Sequence, residues 1–362
     1  MNNGFFGFPS SLDSSVIDIK EFDISGVYVV PQNTKTLIIF AVGGGGGGAG
    51  GVRLVGNGGS GGSGGNSGNF VLSQIDKKSL NGITTLNIII GAGGSGGAGS
   101  ASNGATASNG GGGGATTIGV SGKKNPFISA AGNQYGLAGS AAFGPTSQAA
   151  SGVSAGISLM FGSVVFGEYG LTPGGNGAPF HAGTNTTHPI LTRPFDGIGG
   201  RAGRGSTDSV AGTVHVFSPY SCGGGGGGGV SYTTVPGTAQ TGGGIKFMNA
   251  SSADFDAHAT IYKSIFSYCL SGDYSPGDVV YSGGAINTAT ATINSNQMIC
   301  PDCMFSAGFG GAGGGGGAST SANNGANGYR GGGGGGGGGS KNVAAGTGGT
   351  GGNGYVKIIA IG

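Results

Sequence analysis

The chain predicts an all-β fold: a small β-sandwich formed by N- and C-terminal strands, joined to a bundle of polyglycine II helices, with little or no α-helix. Three observations lead there. Glycine fills 94 of 362 positions and concentrates in runs at residues 43–48, 110–114, 223–229, 313–317 and 331–339. Short β-branched and aromatic stretches lead straight into such runs, as at residues 36–42 before Gly43 and 86–90 before Gly91. Charged residues make up only 8% against 36% hydrophobic, whereas glycine-rich linkers that stay disordered are poor in apolar side chains.

Glycine in regular structure costs roughly 0.5–1 kcal/mol relative to alanine, so whatever orders these runs must act on backbone alone. The polyglycine II conformation answers that requirement. It rises about 3.1 Å per residue with three residues per turn, which makes residues 331–339 a rod of about 28 Å. It has no internal hydrogen bonds, so its N–H and C=O groups turn to neighbouring rods, supplemented by Cα–H···O contacts. A Cβ would hold the backbones apart. Alanine, serine and asparagine interruptions, as in residues 58–63 and 91–95, are therefore expected at positions facing out of the bundle. A collagen helix is excluded, because there is no Gly-X-Y period and only 12 prolines.

In chain order, residues 22–30 and 36–42 read as two strands bounded by Gly26 and by the turn from Pro31 to Asn33. Further strands are expected at residues 69–75, 84–90, 115–120, 213–217, 305–309 and 355–361. The last is apolar on both faces, which places it inside a sheet. Residues 1–20 read as an N-terminal attachment segment. Residues 21–362 read as a single glycine-rich domain with two excursions of ordinary, aromatic-rich composition at about 122–219 and 230–307. Long loops of this kind carry function when they are ordered. Residues 253–270 are the one stretch with helical character.

Catalytic chemistry is poorly represented. His181, His188, His215 and His258 are scattered without the spacing that sets two ligands on one helix face. Glu21 and Glu168 are the only glutamates, and no GxSxG elbow is present. No enzyme activity and no cofactor are expected. Cys300-Pro301-Asp302-Cys303 has CxxC spacing, which suits half a zinc site or a redox pair; without a second such pair, no metal site is expected, and Cys300 and Cys303 stand only as weak candidates. A net charge of +2 offers no field to draw nucleic acid or an acidic membrane. Tyr329-Arg330-Gly331-Gly332 is a single Arg-Gly-Gly step, too little for an RNA-binding groove. No stretch is apolar enough to insert in a membrane, and the first residues lack the basic flank and apolar stretch of a secretion signal.

The stretch from Phe22 to Gly51, with its Ser25-Gly26-x-Tyr28-x-Val30-Pro31 step and the strand running into Gly43, resembles the opening of the glycine-rich domain of bacteriophage tail fibre and related virion proteins. Residues 86–94, 111–117 and 351–359 resemble later landmarks of that family. The resemblance covers about residues 20–120 and 305–362 and is weak between. A second likeness, carried by run lengths alone, is to polyglycine II tail fibre tip adhesins. Together these imply a virion structural protein made in the host cytoplasm, a tail fibre or receptor-binding adhesin, assembled as a homotrimer with other virion proteins. They also imply loops that bind a bacterial surface protein or glycan. Aromatic side chains on loops held by a rigid scaffold are the usual anchors of such surfaces, which makes Tyr135, Phe143, Phe180, Tyr262 and Tyr274 the contact candidates. The alternatives are a capsid or tail decoration protein that binds no receptor, and more distantly an extracellular structural protein or an ice-binding protein. The ice-binding reading requires regular threonine or alanine rows, and the glycine runs read from sequence offer none.

Overall fold

A computed structural model describes residues 16–53, 82–120 and 321–362, most of 59–76, residues 126–130, 132 and 317, and short strand segments between them. The described strands are β1 (Val16–Phe22), β2 (Gly26–Val29), β3 (Thr36–Val42), β4 (Phe70–Asp76), β5 (Thr85–Ile89), β6 (Thr116–Val120), β7 (Ile128–Ala130), β8 (Ile157–Ser158), β9 (Val164–Tyr169), β10 (Val214–His215), β11 (Gly244–Lys246), β12 (Val280–Tyr281) and β13 (Tyr355–Ile361). No α-helix occurs among the described residues. Residues 253–270 and 305–309 lie outside them.

The strands form two antiparallel sheets, ordered β1-β13-β3-β4-β9 and β2-β5-β6-β7-β8, and a small sheet β10-β11-β12. The first two pack face to face. Leu37, Ile39 and Ala41 of β3 and Val356, Ile358 and Ala360 of β13 meet Tyr28, Leu86, Ile88, Ile118 and Ile128 from the opposite sheet. This is the period-two alternation of a sheet burying one face. The reverse faces of β3 and β13 are buried as well, at Ile38, Phe40, Tyr355 and Ile359, as their unbroken apolar sequence predicts. β13 lies between β1 and β3 with Tyr355 opposite Val42 and Ile361 opposite Thr36, so of the described strands the last completes a sheet begun by the first. Across the sandwich edge, burial, aided by the Asp18 carboxylate of β1, raises the Tyr28 phenol well above its ordinary range.

Two sequence expectations are incomplete. β1 was not expected as a strand, because Asp18, Lys20 and Glu21 interrupt its apolar pattern; it takes residues 16–20 of the N-terminal segment into the first sheet. The first aromatic-rich excursion is also not wholly an excursion, since β7 and β8 extend one sheet and β9 pairs with β4 at the edge of the other.

The glycine runs continue the ladders of the sandwich in a different rhythm. Beyond the Tyr355–Val42 pair, Gly45, Gly48 and Gly51 donate to the carbonyls of Gly352, Gly349 and Gly346 at 2.9 Å. Beyond the Ile89–Thr117 pair of β5 and β6, Gly114, Gly111 and Ser108 donate to Ala92, Ser95 and Ala98. Beyond the Val42–Phe70 pair of β3 and β4, Gly46 and Ala49 donate to Asn66 and Ser63. In each case the bond recurs at every third residue rather than every second. The run 43–51 turns its three registers of N–H groups to three different neighbours, residues 108–114, 346–352 and 63–66. Its carbonyls accept from two more, residues 94–100 and 334–337. All nine of its residues are buried.

Close approach explains why these positions are glycine. A Cβ added to Gly48 would collide with the carbonyl oxygen of Gly335, and one added to Gly334 with that of Gly349. Backbone cannot yield as a flexible side chain would. The Gly48→Ala variant is expected to lose about 3 kcal/mol or more, since overpacking against rigid neighbours costs roughly 1–3 kcal/mol and occasionally more. Ser95→Ala, on an exposed position of the neighbouring run, should change stability by less than about 0.5 kcal/mol. Thermal or denaturant unfolding of the two variants checks the contrast; equal stability would contradict backbone-to-backbone packing at Gly48.

Candidate functional site

Tyr135, Phe143, Phe180, Tyr262 and Tyr274, named from sequence as receptor contacts, lie outside the described residues, as do Cys300 and Cys303. The described residues instead define an outer face of the glycine block. Run 344–354 is flanked on one side by 91–100, through Gly351, Gly348 and Ala345 donating to Gly94, Gly97 and Ser100. On its other side lies 322–328, where Ala322, Gly325 and Gly328 donate to Ala344, Thr347 and Thr350. Runs 43–52 and 331–340 lie beneath.

Exposure along these three runs repeats at every third residue. The exposed positions are Ala92, Ser95 and Ala98 on the first run, Ala344, Thr347, Thr350 and Asn353 on the second, and Ser321, Asn324 and Asn327 on the third. The interruptions thus face outward here as expected. The expectation fails at Ser63, Asn66 and Ala49, which are buried: Ala49 lies in the run enclosed by five others, and the run of Ser63 and Asn66 is bonded to 43–51 and to 331–337. Regular rows of the kind an ice-binding face requires are nevertheless present: Thr347 and Thr350, and Ala92 and Ala98, belong to them. They escape a sequence reading because the rows become visible only when the three-residue period is known.

The asparagines of this face perform a specific task. Where no further run among the described residues supplies a carbonyl, Asn324 Oδ1 and Asn327 Oδ1 accept from the Thr347 and Thr350 amides, and Asn353 Oδ1 accepts from the Gly93 amide, each at 2.9 Å. A short amide side chain stands in for a neighbouring backbone. This satisfies donors that would otherwise be left to solvent.

At the junction with the sandwich, the Tyr329-Arg330 step turns run 321–328 back into run 331–340, with Arg330 at φ 41° and Gly331 at φ 86°. Gly332 closes the turn by donating to the Tyr329 carbonyl at 2.9 Å. The Arg330 guanidinium lies 4.2 Å from the Tyr355 ring centroid and 5.2 Å from that of Tyr329. Its Nε and Nη2 donate to the two Asp23 oxygens at 2.6 and 2.7 Å. Glu21 receives both Arg330 Nη2 and Lys357 Nζ at 3.3 Å. Burial opposes the arginine's charge, but the Asp23 hydrogen bond and the two tyrosines outweigh it and leave its pKa raised. Burial also raises the Tyr329 phenol, partly offset by Arg330.

From sequence, Arg330 stood only as a poor RNA-binding element. The structure gives it a positioning role, tying the glycine block to β13 and to the β1–β2 connection. Among the described residues no cluster of histidine, cysteine and carboxylate side chains could hold a metal, and no helix is long and apolar enough to cross a membrane.

A family model described as a glycine-rich domain matches residues 23–254, more than half of the chain. The chain belongs to that glycine-rich domain family. The match starts at the β1–β2 connection and extends through the first aromatic-rich segment, which the residue-level resemblance did not cover. A search of the curated proteins finds no match.

Arg330→Ala should lower stability by about 1–3 kcal/mol: removing one partner of a buried pair costs more than this, and the exposure of Asp23 reduces it. Arg330→Lys should recover little, because an ammonium reproduces neither the bidentate bond nor the stacked plane. Unfolding curves of the two variants check this; full rescue by lysine would mean that charge alone holds the junction.

Proposed function

We propose that the chain is a phage virion structural protein, a tail fibre or receptor-binding adhesin, whose glycine block is a bundle of polyglycine II helices serving as a rigid scaffold for host-binding loops. The observation that carries the structural part is the three-residue recurrence of hydrogen bonds between runs, each turning successive residues to different neighbours. That is the symmetry of a polyglycine II rod. Membership of the glycine-rich domain family and the landmarks at residues 22–51, 86–94 and 351–359 support the virion reading. Loops anchored in a scaffold that cannot bend lose little conformational freedom on binding, which favours affinity. The five aromatic candidates, Tyr135, Phe143, Phe180, Tyr262 and Tyr274, supply the contact surface in this reading.

The test is binding of the labelled full-length chain to a panel of whole bacteria. Saturable binding to a narrow set of strains, weakened at least about tenfold by alanine at a contact aromatic with unchanged circular dichroism, is the expected result, in line with the energy carried by interface hot spots. Absence of binding to every strain would overturn the adhesin and leave a decoration protein.

A second reading rests on the outer face, where rows at Ala92/Ser95/Ala98 and Thr347/Thr350 repeat at about 9 Å along a polyglycine II axis. A regular face of small side chains suits an ice-binding protein. Thermal hysteresis in freezing solutions of the same protein would favour it, and ordinary freezing would remove it.

A further inference from the structure

We propose that β1 is a self-association edge, through which two copies of this chain pair antiparallel about a two-fold axis at Ile19 and join their first sheets into one. Three observations carry this beyond the scaffold role. The first is position. β1 ends its sheet, with β13 on one side and, among the described residues, no strand on the other. An edge strand presents a row of backbone donors and acceptors to any strand that fits.

The second observation is the face it shows. Ile19, which pairs with Ile359 and shares its side of the sheet, is 52% exposed, and Ile17, in the irregularity between Val16 and Asp18, is 38% exposed. Glu21, on that same side, is turned to Lys357 and Arg330, so its charge is directed into its own sheet and away from the open edge. Large β-branched side chains exposed on a sheet edge are what a pairing strand would cover.

The third is charge complementarity. A lone lysine on an edge strand ordinarily blocks pairing. Lys20, which is exposed, has Asp18 two residues before it on the same face. In an antiparallel pair centred on Ile19, Asp18 of each copy stands opposite Lys20 of the other and Ile19 stands opposite itself; the regular register ends at Asp18, where the strand is irregular towards Val16. The two-fold axis makes the favourable Asp18–Lys20 pairing occur twice. Any shift of register by one residue turns the isoleucines to the opposite face from their counterparts, and shifting by two sets like charges together. The strand is therefore self-complementary in one register. Such an interface is isologous and closes at two copies. A dimer through β1 is distinct from the homotrimer that the family resemblance implies.

The experiment is sedimentation velocity and light scattering of the full chain over a wide concentration range. A concentration-dependent dimer is expected. Lys20→Asp places a second carboxylate opposite Asp18 at both symmetry-related contacts and should weaken the dimer about tenfold or more, as like charges directly opposite are destabilising. The exchanged double variant Asp18→Lys with Lys20→Asp restores complementarity and should restore the dimer. Ile19→Glu, which opposes two carboxylates on the axis, provides an independent disruption, with thermal melting confirming that each variant is folded. A monomer at all concentrations, a trimer, or a dimer untouched by both Lys20→Asp and Ile19→Glu would overturn the proposal. None of these outcomes bears on host binding, so the adhesin reading stands or falls separately.

Discussion

Backbone packed against backbone is the constraint on which this molecule depends. Run 43–51 is surrounded by five other described runs, and every one of its residues is buried without a side chain larger than a methyl group. Ordinary cores gain stability by removing apolar side chains from water. Here the interior is amide, and the stabilising terms are hydrogen bonds made in nearly every direction and the dispersion of close-packed main chain. Buried peptide groups are tolerable only when paired, so the block is ordered throughout or not at all. Glycine's extra entropic cost is offset because each residue serves several neighbours at once.

The sandwich supplies what the glycine runs cannot specify for themselves. A glycine run carries almost no information about which run it should lie beside, since one is chemically the same as the next. β3 and β13, β3 and β4, and β5 and β6 are paired through side chains with a defined register. Their antiparallel partnership then continues into the block. At Val42, Ile89 and Tyr355 the spacing of bonds between neighbouring segments passes from two residues to three, and run 43–51 beyond Val42 bonds to more than two neighbours. Arg330 adds a further tie, clasping the turn of a later run to Asp23, Glu21 and Tyr355. Register is thus written in the strands and read out in the glycines.

Much of this was legible in the sequence, for a physical reason in each case. β3 and β13 announce themselves by apolar residues on both faces, and the strand-into-glycine junctions at Val42 and Ile89 show where pairing changes character. β1 was not legible, because an edge strand with one solvated side accommodates Asp18, Lys20 and Glu21 and loses the apolar signature. The outward rows at Ala92/Ser95/Ala98 and Thr347/Thr350 were half legible: the interruptions are plain, but which of them face out depends on the position of each run in the block, as Ser63 and Asn66 demonstrate by being buried. The tasks of Asn324, Asn327 and Asn353, accepting bonds from the backbone of an adjacent run, follow only from the three-dimensional arrangement.

The ordering of glycine by glycine is measured most directly by amide hydrogen exchange. If residues 43–51 are held by bonds to surrounding runs, their amides should be protected to the same degree as those of Ile38 and Ile39 in β3, and should open together with them. Exchange of the glycine amides at the rate of an unstructured chain, while β3 stays protected, would contradict the account.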